Sequence, residues 1–153
     1  MEPNIVLFDI DNTLADIDHR LHYLKRDYVD WFEFEGQCVY DQPILPVIEM
    51  AKAFKAQGKQ VWCWTGRTDE IRPGTEAWLR RYGVPFEQLL MRPASVEVHT
   101  ESVPETKLRW LLHGPIPRDR VLCAVDDDPE VIKLLREEGG LLVLRVVRPK
   151  EGV

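Results

Sequence analysis

Positive charge is in short supply in this sequence. Its 153 residues carry 20 Lys and Arg against 26 Asp and Glu, a formal net charge of −6. That balance argues against a broad basic face for duplex nucleic acid, because nonspecific grip rests on many phosphate contacts. A small basic pocket for one phosphate stays open. Long apolar runs are also missing, and no stretch approaches the roughly 20 residues of a membrane-spanning helix, so no membrane partner is expected. The opening MEPNIVLF has neither a basic region nor a small-residue cleavage site, which argues against a signal peptide. Cysteine is scarce. Cys38, Cys63 and Cys123 are odd in number and widely spaced, and the last two lie inside apolar runs. Buried, reduced thiols of a cytoplasmic protein are the expectation, since a metal site would want paired spacing. His19, His22, His99 and His113 show no metal-ligand spacing either. Repeats and low-complexity linkers are absent.

What is present is an alternation of short apolar runs and helical patterns in a chain 44% hydrophobic, of a length that suits one domain, residues 1–153. The continuous run Ile5, Val6, Leu7, Phe8 reads as a strand covered on both faces. An aromatic, charged segment at 17–41 follows, with Leu21, Leu24, Tyr28, Trp31 and Phe32 at helical spacing. ILPVIEMAKAFKAQG is a helix with Val47, Ile48, Ala51 and Phe54 on one face and Gly58 as its stop. KQVWCWTGRT is a second strand ending in a turn, and GTEAWLRRYGV a helix. FEQLLMR holds a third strand, and VPETKLRWLLHGP is a helix with Pro104 in its first turn. RVLCAVDDDP is a fourth strand, PEVIKLLREEGG a helix capped by Asp128, and LLVLRVV a last strand. Such alternation predicts an α/β fold, a central parallel sheet with helices on both faces. The only sizeable insertion, residues 15–42 after the first strand, is a small cap.

In parallel sheets of this kind the ligand binds beyond the carboxyl ends of the strands. Three predicted strand ends carry polar groups there: Asp9 and Asp11, Thr65 and Arg67, and Asp126 and Asp127. Two like charges beside a core are costly without compensation, and a bound cation supplies it. Asp9 could attack phosphorus and form an aspartyl-phosphate, and Asp11 could protonate the leaving oxygen and later activate water. Asp126 and Asp127 would complete an oxygen-only shell of the type Mg²⁺ prefers. The Thr65 hydroxyl, turn amides around Gly66 and the Arg67 fork could hold phosphoryl oxygens. Lys107 could offset the charge that Asp9 and a phosphate bring together.

DIDNT, WTGRT, Lys107 and VDDDP together resemble the four motifs of the haloacid-dehalogenase-like (HAD) phosphatase superfamily, in the family's order. The resemblance spans residues 5–145 and implies a Rossmann-like domain, an aspartyl-phosphate and Mg²⁺. On that pattern Asp9 is the nucleophile and Asp11 the acid/base, its backbone carbonyl also on the metal. Thr65 and Lys107 bind the phosphoryl group, and Asp126 or Asp127 ligates Mg²⁺. A narrower resemblance, carried by FDIDNTLADIDHR, DQPILPVIEMAKAFKAQGKQVWCWTGR and CAVDDDPEVIKLLREEGG, is to the 3′-phosphatase domain of phage polynucleotide kinase-phosphatases. It implies substrate-binding roles for Arg20 and Arg67. No GxxxxGK[ST] phosphate loop occurs, Val103 stands where that family has an acidic residue four positions before the lysine, and the segment before Gln42 is longer and more aromatic. Arg20, nine residues after Asp11, is expected over the open mouth of the crevice. Tyr23, Tyr28, Trp31 and Phe34 could stack nucleobases, but packing of the cap onto the body is the expected role for most of them.

The expected activity is Mg²⁺-dependent hydrolysis of a phosphomonoester, on a nucleic-acid 3′-phosphate or a nucleotide. The rivals are a phosphatase for another small metabolite and a noncatalytic phosphate-binding regulatory module. A dehalogenase does not need the second aspartate, and Asp11 is present. A homo-oligomer stays open.

Overall fold

The computed structural model describes residues 2–94 and 100–149, so His99 lies outside the described residues. Five parallel strands form the central sheet in the order β5-β4-β1-β6-β7. They are β1 (Ile5–Phe8), β4 (Gln60–Thr68), β5 (Gln88–Arg92), β6 (Val121–Asp126) and β7 (Val143–Arg145). The β1 residues are fully buried because β1 is the middle strand, with β4 and β6 on its edges and helices on both faces. Its side chains alternate as a strand requires. Val6 and Phe8 join a core with Val47, Ile48, Ala51, Trp78 and Leu79 from α2 (Leu45–Ala56) and α3 (Arg72–Arg81). Ile5 and Leu7 join a second core with Trp110, Leu111, Val131 and Leu135 from α4 (Val103–His113) and α5 (Pro129–Glu137).

The helix ends follow their expected punctuation. Gly58 lies just past α2 with φ +79°, a left-handed conformation that costs glycine nothing. Ser102 and Glu105 form a reciprocal capping box on α4, with Pro104 in its first turn, and the Asp128 carboxylate accepts from the Glu130 amide at the start of α5.

Three features differ from expectation. First, WTGRT does not leave the sheet in a turn. β4 runs on to Thr68, and its register against β5 slips between the pairs Trp64–Leu90 and Thr68–Arg92, so Thr65, Gly66 and Arg67 oppose Met91 alone. The extra residues are absorbed as a bulge, a device that re-aims side chains at a sheet's rim. Second, β2 (Ala15–Asp16) and β3 (Gln42–Pro43) pair antiparallel and pinch the two ends of the cap together. Third, part of the cap is helical, as its spacing predicts, but in separate short pieces. A 3₁₀ segment (Asp18–Lys25), the six-residue α1 (Trp31–Gly36) and a second 3₁₀ segment (Gln37–Tyr40) divide it. The helical spacing from Leu21 to Phe32 crosses the break between these pieces and so marks no common face. Only Phe34 of α1 is buried, while Tyr28, Trp31 and Phe32 are 82%, 59% and 73% exposed.

Candidate active site

The chain leaves β1 through a tight loop. The Ile10 carbonyl accepts from the amides of Thr13, Leu14 and Ala15 at 3.1, 2.9 and 2.9 Å. Asn12 carries the turn at φ 61°, which asparagine tolerates better than most residues. Thr13 is fully buried, with its hydroxyl 3.1 Å from Asp9 Oδ2 and 3.3 Å from Asp127 Oδ1. Asn12 and Thr13 follow the aspartates because one makes the turn and the other supplies a donor between two carboxylates. Sequence reasoning assigned neither a role.

Asp9, Asp126 and Asp127 form one cluster, each with a ligand oxygen within 4.8 Å of the others. Asp9 is held by its amide, which donates to the Val125 carbonyl at 3.0 Å. Lys107, on α4, reaches across the sheet end and donates to Asp9 Oδ1 at 2.7 Å and Asp126 Oδ2 at 2.8 Å. It is itself buried, over the Trp64 ring. Burial, with the charge of Asp126 added, pushes the Asp9 carboxyl well above its ordinary range despite Lys107. Asp127 is raised for the same two reasons. For Lys107 the two carboxylates outweigh burial and hold the ammonium protonated. One lysine thus compensates only part of a three-carboxylate cluster.

The Asp11 carboxylate stands apart from that cluster. Its Oδ1 accepts from Arg67 Nη2 at 2.6 Å, Arg67 Nε at 3.0 Å and Arg20 Nη2 at 2.9 Å. Burial alone would raise its proton affinity; Arg67 and then Arg20 overcome that and lower it. Behind Asp11 lies Asp41, at the end of the cap and 1% exposed. Its carboxylate accepts from Arg20 Nε and Nη2 at 2.8 and 2.9 Å, and from Arg67 Nη2 at 3.0 Å. The Trp78 indole donates to its carbonyl at 2.9 Å.

This network corrects one expectation. Arg20 does not hang over the crevice mouth. It is fully buried under the cap, forked onto Asp41 and lying 4.5 Å from the Phe34 ring centroid. A guanidinium within reach of the buried Asp41 and the partly exposed Asp11 is better satisfied there than in solvent. Arg67 is likewise buried, also donating to Thr75 Oγ1 at 3.2 Å. Of the amides around Gly66, that of Arg67 donates to Thr65 Oγ1 at 3.1 Å. Asp41 was missed because nothing local marks it; pairing of β2 with β3 brings it under Asp11. Removing it takes the one fully buried carboxylate from two buried guanidiniums and leaves them Asp11 alone, so Asp41→Ala is expected to destabilise the protein by roughly 3–5 kcal/mol. Urea unfolding of the two proteins measures this, and a change under 1 kcal/mol (roughly a surface ion pair's worth) would show the network to be energetically idle.

A cavity of about 820 Å³ joins these groups, with Asp9, Asp11, Lys107, Asp126 and Asp127 on one side and Trp31, Phe32 and Glu35 of the cap on the other. Glu35 ties cap to sheet by accepting from Thr68 Oγ1 at 2.8 Å. Gly66 lets β4 and the start of α4 approach closely. A Cβ there would lie 2.5 Å from Val103 Cγ2 and 3.1 Å from Cγ1, so any side chain at this position would force Val103, the first residue of α4, to shift.

The family model described as "Polynucleotide kinase PNKP phosphatase domain" matches residues 3–150. No curated protein matches the sequence. Among solved structures, a chain of the Pnkp1/Rnl/Hen1 RNA repair complex superposes with TM-score 0.77 and 26% identity, covering 95% of this chain and 42% of that one. A second structure of the Pnkp1/Rnl/Hen1 complex gives TM-score 0.76 and 26% identity over 95% and 46% of the two chains. This chain therefore spans less than half the length of those relatives. The class C acid phosphatase from Bacillus anthracis with tungstate bound shares the fold, with TM-score 0.61 and 18% identity over 85% of this chain and 53% of that one. The sheet order, the motif positions and the match over nearly the whole length agree: the chain is a HAD-superfamily phosphatase and belongs to the family of PNKP phosphatase domains.

Proposed function

We propose that this chain is a single catalytic domain that hydrolyses a phosphomonoester through an aspartyl-phosphate on Asp9, with Mg²⁺, and that its substrate is a nucleic-acid 3′-phosphate or a nucleotide. The observation that carries the mechanism is the division of carboxylates. Asp9 sits with Asp126, Asp127 and Lys107, while Asp11 sits beside them on two arginines. The family and the RNA repair complexes support the substrate class. Three buried free thiols support a cytoplasmic setting, and no helix among the described residues is long and apolar enough to cross a membrane.

The donor set fits a hard divalent cation: three carboxylates, oxygen only, with Asp9 and Asp127 raised by burial and by Asp126. Asp9, Asp126, Asp127 and the Asp11 backbone carbonyl would hold Mg²⁺, which when bound neutralises charge on the carboxylates and the phosphoryl oxygens. The remaining steps belong to the chain. Lys107 and Thr65 hold the phosphoryl group against Asp9. An Asp9 oxygen forms a bond to phosphorus as the bond to the leaving oxygen breaks, and Asp11 gives that oxygen its proton. Water then adds to phosphorus, Asp11 takes its proton, and the bond to Asp9 breaks to release phosphate. In the free site Arg67 and Arg20 keep Asp11 ionised, the state the second step needs. An entering phosphate brings negative charge and competes for the same arginines. Both effects raise the proton affinity of Asp11 for the first step.

Arg20 therefore acts on Asp11 and not on a remote part of the substrate. Arg20→Ala is expected to lower kcat/KM about 10- to 100-fold, the loss of a charged hydrogen bond, on an oligonucleotide 3′-phosphate, and less on an aryl phosphate, whose leaving oxygen needs little of the Asp11 proton. A loss on the oligonucleotide that grows at low salt would instead return Arg20 to the crevice mouth. Chelation by EDTA is expected to abolish turnover, and Mg²⁺ to restore it. The deciding experiment is an Mg²⁺-supplemented panel of 3′-phosphorylated oligonucleotides, mononucleotides and sugar phosphates. Preference for sugar phosphates would overturn the substrate assignment, and no activity on any of them would favour a regulatory module.

A further inference from the structure

We infer that the exposed aromatic residues of the cap, Trp31 with Tyr28 and Phe32, form a stacking platform for the last bases of a phosphorylated single strand. The inference rests on the nucleic-acid reading above and adds how the strand is gripped.

Packing does not account for these rings. They are 59–82% exposed, yet all three line the cavity whose other wall holds Asp9 and Lys107. Large apolar rings on a monomer's surface cost solubility unless they meet something. Trp31 is braced and not loose. It meets the Phe34 ring edge-on, with centroids 6.0 Å apart and planes at 85°. Phe34 is held in turn by Arg20, 4.5 Å from its centroid. The platform is thus attached to the residue that contacts Asp11.

Charge selects the occupant. The cap side of the cavity also presents Asp30 and Glu35, and the one cation it offers among the described residues, Arg20, is buried on Asp11 and Asp41. That wall repels a phosphodiester backbone and suits the faces of bases. With a net charge of −6, the chain cannot draw its grip from many phosphate contacts. Base–aromatic stacking supplies affinity without cations and without demanding a particular base.

The test compares two single-stranded oligonucleotides bearing a 3′-phosphate, one normal and one whose last two nucleosides lack bases. The wild-type protein is expected to prefer the normal strand about tenfold in kcat/KM, the scale of one stacked base. The Trp31→Ala/Phe32→Ala double variant should bring that ratio near one, with the loss mainly in KM, and Trp31→Phe should keep most of it. Because stacking releases few counterions, the wild-type preference should hardly change with salt. A double variant that keeps the full preference, or loses the same factor on both strands, overturns the platform while leaving the phosphatase reading intact. Absence of turnover of either strand by the wild-type protein overturns both, as would Trp31-dependent hydrolysis of a phosphotyrosyl peptide without hydrolysis of the oligonucleotide.

Discussion

Asp9→Asn is expected to lower turnover by at least about a thousandfold and to leave the protein folded and no less stable. An amide oxygen is too weak a nucleophile for phosphorus, and the substitution removes one carboxylate from the cluster with Asp126 and Asp127. The stability expectation follows from the same geometry. Asp9 is buried, and burial together with Asp126 disfavours its ionised form. Asparagine relieves that repulsion, while its oxygen can still accept from Lys107, which keeps its second bond to Asp126. Activity with a 3′-phosphorylated oligonucleotide and thermal unfolding would be measured on the same preparation. Turnover near the wild-type rate, with contaminating phosphatase excluded, would sink the covalent mechanism. A large fall in unfolding temperature would mean that the Asp9–Lys107 pair holds the fold together.

The second large effect belongs to Asp11→Asn, and its size should depend on the leaving group. An alkoxide such as a sugar oxygen needs a proton as it departs, so the loss on an oligonucleotide 3′-phosphate should reach about 10²–10⁴-fold, the range of general acid–base catalysis. An aryl oxide leaves with little help, so the first step should survive better on an aryl phosphate. The second step still lacks its base, and the phosphorylated protein should accumulate. The expected record is a burst of aryl oxide release close to one equivalent, followed by a slow steady rate. Folding should be little affected, because the asparagine oxygen can still accept from Arg67 or Arg20 and both arginines keep Asp41. Equal losses on the two substrates with no burst would count against Asp11 as acid and base.

The parts of this molecule legible in its sequence are those governed by neighbours a few residues apart. Ile5 to Phe8 read as a doubly covered strand because a run without a polar face has no other soluble use, and β1 is the middle strand. The helix faces at Val47, Ile48 and Ala51 and at Trp78 and Leu79 follow the helical period, and Asp128 caps α5 through a bond to a residue two positions on. The strand ends carrying Asp9, Asp126 and Asp127 followed from the parallel sheet, which brings them to one edge.

What the tertiary structure alone decided was where the long side chains went. Arg20 and Asp41 are 21 residues apart, and Asp41 and Arg67 are 26 apart. No local pattern encodes their meeting. It depends on β2 pairing with β3 to fold the cap back, and on the β4 bulge turning Arg67 inward. Once those backbones are set, two buried guanidiniums shared between the buried Asp41 and the partly exposed Asp11 have one satisfied arrangement. The cap aromatics went the other way for the complementary reason. A six-residue α1 between two 3₁₀ segments has room beneath it for Phe34 but not for Trp31, Phe32 and Tyr28, so those rings remain outside on the cavity wall.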